Sequence, residues 1–141
     1  MLAGSALLLG VRLVAERSST AVAWQDLTRQ LGPLTIEGSE RRVFRDRVTL
    51  SEYLTEAKAS QPPPAVDFST RQLLLVSPGP RSSTGYSVEV LSAREHASEI
   101  VVRVRERTPP LGEEVEPRVT YPYRLISLPA GKDIRVDWVG R

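Results

Sequence analysis

The run Leu73-Leu74-Leu75-Val76 constrains this chain more than any other stretch. Successive side chains of a strand point to opposite sides, so four apolar residues in a row give a strand two greasy faces. Such a strand needs cover on both sides, unlike one whose apolar and polar residues alternate. The run stops at Pro78-Gly79-Pro80, through which no hydrogen-bonded ladder can pass because proline has no N–H. Around it the sequence reads as an α+β fold in a single domain, mainly an antiparallel β-sheet with one or two packed helices.

Downstream, Tyr86, Val88 and Val90 alternate with Ser87, Glu89 and Leu91, and Ile100, Val102 and Val104 alternate with Val101, Arg103 and Arg105. Folding these runs about His96 predicts Glu89 opposite Arg103, Val88 opposite Val104 and Val90 opposite Val102. Residues 119–128 and 134–139 read as two more strands, separated by Pro129-Ala130-Gly131-Lys132, with Ile134, Val136 and Trp138 facing one way. Upstream, residues 34–36 and 43–48 read as strands joined through Gly38-Ser39-Glu40. Thr49 with Glu52 predicts a capping box, followed by Leu50, Tyr53, Leu54 and Ala57 on one helical face. Pro62-Pro63-Pro64 then acts as a stiff connector. A first short helix, capped within Ser18-Ser19-Thr20, would carry Trp24, Leu27 and Leu31 and end at Gly32-Pro33.

With 141 residues the chain is long enough for one core. Its 19 basic side chains, 17 of them Arg, are interleaved with 17 acidic ones, whereas nucleic-acid binding concentrates positive charge on one surface. We therefore expect no nucleic-acid partner. The absence of cysteine excludes disulfides, thiolate nucleophiles and Cys-ligated metals. His96 is the single histidine, so a zinc or non-haem iron site would need its remaining ligands from carboxylates, and a Ser-His-Asp device would depend wholly on His96. It sits in the polar stretch Arg94-Glu95-His96-Ala97-Ser98-Glu99, which reads as a solvated hairpin turn. No cofactor, metal or catalytic residue is expected, and the acids Glu113, Glu114, Glu116, Asp133 and Asp137 lack the alternating oxygen-ligand spacing of a calcium loop. Arg103, Arg105 and Arg107 read as a solvated sheet face paired with Glu89 and Glu106.

The apolar residues 2–11 are about half the roughly 20 needed to span a membrane. Residues 1–20 read either as a degenerate export signal, cleaved near Ala21-Val22-Ala23, or as an apolar segment packed on the domain of residues 21–141. The first reading places the protein outside the cytoplasm: secreted, periplasmic or at the cell surface.

The segment Ser82-Ser83-Thr84-Gly85-Tyr86 and its downstream companion Thr120-Tyr121-Pro122-Tyr123 put aromatic residues where loops meet strands. Both suit holding a partner better than acid, base or nucleophilic chemistry. Candidate binding residues are Arg81, Ser82, Ser83, Thr84, Gly85, Tyr86, Tyr121 and Tyr123. Asp67-Phe68-Ser69 before the apolar strand, Gly79, Thr84-Gly85-Tyr86-Ser87-Val88-Glu89-Val90, Glu106 with Pro109, and Thr120-Tyr121-Pro122-Tyr123 before Leu125-Ile126 together resemble the C-terminal domain of the protease-complex subunit PrcB family. The resemblance covers about residues 43–128. It implies a bacterial, exported, non-enzymatic accessory or binding module, whose protein partner in the namesake is a surface protease complex. Ser83-Thr84-Gly85-Tyr86 also resembles the Thr-Thr-Gly-aromatic loop of chagasin-like cysteine-protease inhibitors, which implies the alternative of a protease inhibitor presenting that loop.

Overall fold

Strand β4 (Arg71–Ser77) runs through the middle of the computed structural model, which describes residues 19–140. Leu73, Leu74, Leu75 and Val76 have no exposed surface. Leu73 and Leu75 pack on one side with Phe44, Leu125 and the helix residues Leu50, Tyr53 and Leu54. Leu74 and Val76 pack on the other with Val88, Val102, Val104, Ile126 and Leu128. The two-faced strand expected from the sequence thus has a layer on each side, and burying each of these leucines stabilises the fold by about 2–3 kcal/mol.

The central sheet contains β2 (Gln25–Asp26), β7 (Arg124–Pro129), β4 and β3 (Glu40–Phe44), in that order and all antiparallel. Against its first face lie α1 (Thr28–Leu31) and α2 (Arg47–Glu56). Against its second face lies another sheet, ordered β1 (Thr20–Ala21), β5 (Ser87–Glu95), β6 (Glu99–Arg107), β8 (Asp133–Trp138). Its pairs are antiparallel except β6 with β8, which are parallel. The expected α+β domain is therefore built from two mostly antiparallel sheets and two short helices. Among the described residues no helix is long and apolar enough to cross a membrane.

Side chains join the layers at their edges. The Arg41 guanidinium donates to the Ile134 carbonyl. Arg124 donates from Nε to the Val88 carbonyl at 2.5 Å and pairs with Asp26 at 3.2 Å. The buried Gln72 amide donates to the Pro129 and Lys132 carbonyls and so holds the turn into β8. Ile134, Val136 and Trp138 face the core between the sheets, as the alternation requires.

Several local expectations are corrected. Helix α2 is capped by Asp46, whose carboxylate accepts from the Thr49 backbone N–H at 2.8 Å and from its hydroxyl. The cap sits three residues before Thr49 because Asp is as good a cap as Thr and fits the extended backbone leaving β3. The strand expected at 43–48 is accordingly Glu40–Phe44. Residues 34–36 form no strand; Leu34 and Ile36 are buried in the helix-side core, and the Thr35 N–H donates to the Ala57 carbonyl at 2.8 Å. The first helix shrinks to four residues because the chain before it pairs along the open edges of β5 and β7. There Asp26 accepts from the Thr28 N–H. The strand expected at 119–128 begins only at Arg124, beyond the donor gap at Pro122.

The β5–β6 register also differs from expectation. Glu89 lies opposite Arg105, Val88 opposite Glu106 and Val90 opposite Val104. The turn is centred beyond His96, whose N–H donates to the Glu99 carbonyl at 2.8 Å, and a bulge falls at Leu91. One extra residue reverses the alternation, so Val88 and Ala93 share the core face while Leu91 points to solvent. Glu89 ion-pairs with Arg105 and Arg107, and Arg103 pairs across with Asp137. The reading of residues 1–18 falls outside the described residues.

Helix α2 ends in a Schellman motif: the Ala59 N–H donates to the Leu54 carbonyl at 2.9 Å and the Lys58 N–H to Thr55 at 3.2 Å. Lys58 occupies the left-handed position with φ 59°, where glycine is the usual residue. Lys58→Gly should raise stability by about 1 kcal/mol, read as a higher urea midpoint at unchanged slope.

Candidate interaction site

The segment after β4 is not a free loop. Arg81 and Thr120 form an isolated antiparallel bridge, each N–H donating to the other's carbonyl at 2.8 and 2.9 Å. The Thr84 N–H donates to the Glu116 carbonyl, and the Glu116 N–H to the Thr84 hydroxyl at 2.9 Å. The Thr120 hydroxyl donates to the Ser83 carbonyl at 2.8 Å. Residues 81–86 and the long connection from β6 to β7 are therefore laced into one platform. That connection needs such support, because residues 111–119 are all exposed and make no sheet of their own.

Arg81 anchors the platform to the second sheet. Its guanidinium fork donates to both Glu106 oxygens, at 2.6 and 2.8 Å, and lies 5.9 Å from the Tyr86 ring centre. The Glu106 hydrogen bonds raise the already high pKa of Arg81, so its guanidinium is charged at any physiological pH. Gly85 has φ +99°, and a Cβ there would lie 2.9 Å from Pro109 Cγ and 3.3 Å from Val115 Cγ1. Glycine is required twice over, for its backbone angle and for the close approach of Pro109.

The sequence-derived candidates separate into three groups. Arg81, Ser83, Thr84, Gly85 and Tyr86 form the laced platform, with Tyr86 half-buried and Ser82 exposed at its rim. Tyr121 faces elsewhere: it lines a cleft of about 460 Å³ with Leu34, Lys58, Ser60 and Arg118. Tyr123 is 7% exposed and belongs to the helix-side core, where its hydroxyl donates to the Gly32 carbonyl at 2.5 Å. It is placed to hold α1 onto the sheet rather than to meet a partner. Sequence reasoning used Pro109 only as part of the family resemblance and did not single out Leu111 or Val115 as site residues. The turn signature Pro109-Pro110-Leu111-Gly112 was the available signal.

His96 is half-buried at the β5–β6 turn, its carbonyl accepting from Lys132. Another cleft, about 410 Å³, lies beside Arg71 and Asp67 and is not lined by His96. Asp67 is drawn below its ordinary pKa chiefly by the Ser69 hydroxyl and next by the Ser69 backbone N–H, the latter an Asx-turn contact. Among the described residues no cluster of three or more His, Cys, Asp or Glu could hold a metal ion.

Residues 73–129 match the family model described as PrcB C-terminal. The matched stretch runs from β4 through β7, so it includes both laced segments. The matched span begins later than the 43–128 read from the sequence. No curated protein and no solved structure matches the chain.

Two outcomes test this geometry. Gly85→Ala should destabilise the fold by about 1–3 kcal/mol in urea unfolding, while Ser82→Ala leaves it unchanged. Burial pushes the Tyr53 and Tyr123 phenols up to about 12. Their folded pKa lies above the unfolded value near 10, so the native state holds its protons more tightly. Stability should be full below pH 10 and decline as pH rises toward 12. Tyr53→Phe with Tyr123→Phe should flatten that decline in melts across this range.

Proposed function

We propose that the chain is a non-enzymatic accessory module that binds a protein partner outside the cytoplasm, with an envelope or surface protease complex as the setting the family suggests. The observation that carries this reading is the laced platform of residues 81–86 and 109–120. Rigid loops on a packed scaffold bind with little ordering cost, and half-buried aromatic groups beside an exposed rim suit protein recognition. The alternative, a protease inhibitor using residues 83–86 as a wedge, requires those residues to leave their contacts with residues 109–120.

The test compares wild type with Ser82→Arg and Tyr86→Ala in cross-linking from the native envelope fraction, followed by reconstitution with the purified partner. Both variants should keep the wild-type melt and lose the partner at least about 10-fold. A partner retained by both variants would sink the platform reading. Inhibition of papain by wild type that is lost in Tyr86→Ala would favour the wedge.

A further inference from the structure

Leu111 is fully exposed, yet it is not on a loose tip. The Glu113 N–H donates to the Pro110 carbonyl at 3.1 Å and Gly112 has φ +87°, the arrangement of a type II turn. Pro109 and Pro110 stiffen its entry, and Pro109 rests on Gly85. A leucine held outward on a braced turn is a preorganised knob, flanked by the exposed acids Glu113 and Glu114.

The cleft around Tyr121 has the complementary character. Pro33, Leu34 and Tyr121 give it apolar walls, and Lys58 and Arg118 supply positive charge. Arg118 pairs at 3.1 Å with Glu116, two residues before it, in an exposed contact worth little. Lys58 is fixed at the strained end of α2, which sets its stem at the cleft. The full exposure of Leu111 means that the knob does not fill the cleft of its own chain.

We propose that Leu111 and its acidic flank dock into the Lys58–Arg118–Tyr121 cleft of a second copy of this chain. Each copy carries both surfaces, so two copies related by a two-fold axis each give a knob and receive one. A contact of this size is weak and concentration-dependent, and the opposed charges make it salt-sensitive. It stands apart from the proposed partner-binding role and does not rest on it.

Sedimentation velocity of the full chain up to about 1 mM is the experiment. Wild type should self-associate, less so at high salt. Leu111→Asp and the cleft variant Lys58→Glu with Arg118→Glu should each weaken association roughly 10- to 100-fold while melting as wild type does. Mixing the two variants should restore a complex, because the cleft variant keeps its knob and Leu111→Asp keeps its cleft. A wild type that stays monomeric throughout, association that survives Leu111→Asp, or folded variants that fail to combine would each overturn the proposal.

Discussion

Burial of β4 on both faces is the constraint on which the rest of the structure depends. With Leu73 and Leu75 turned one way and Leu74 and Val76 the other, neither a single sheet with one bare face nor a helix layer alone would suffice. The chain meets the demand with helices on one side and a second sheet on the other. Because β4 is central, its exit at Pro78-Gly79-Pro80 is rigidly placed. The Ser77 hydroxyl donates to the Pro122 carbonyl and accepts from the Gly79 N–H, fixing where the next segment begins. The platform of residues 81–86 thus inherits its position from the most buried strand in the protein.

The features legible in the sequence were those set by local periodicity. The two-faced run, the inward set Ile134, Val136 and Trp138, and the helical stripe Leu50, Tyr53, Leu54 all stand as read. Features set by competition between neighbours were not. Asp46 and Thr49 are both good caps, and only the departure of the chain from β3 decides between them. The β5–β6 register turns on a bulge at Leu91, which a strict alternation cannot contain. The short edge strands Thr20–Ala21 and Gln25–Asp26 exist through pairing partners 75 and about 100 residues away, beyond any local window.

The candidate site was half legible for the same reason. Gly85 and Tyr86 announce a turn meeting a strand, and the turn is there. What the sequence could not disclose is that Gly85 is pressed by Pro109, so that a segment some two dozen residues later decides its role. Tyr121 and Tyr123 show how strand alternation splits a motif. They are two residues apart, but Pro122 precedes the strand start at Arg124, so the period-two rule does not hold between them. One reaches the core under α1, and the other lines an open cleft.

The dominance of Arg over Lys acquires a structural sense once contacts are assigned. Arg71, Arg81, Arg94 and Arg124 each make two or more hydrogen bonds, several to backbone carbonyls at sheet edges or loop ends. A planar fork suits that task, because it satisfies two acceptors with one fixed geometry. Lys cannot form such a brace, and the two lysines are used differently. Lys132 makes point contacts with Glu95 and the His96 carbonyl at the β5–β6 turn. Lys58 stands at a helix end in a backbone conformation that glycine would hold more cheaply. There it lines the cleft that also holds Tyr121 and Arg118, where glycine would supply no charge.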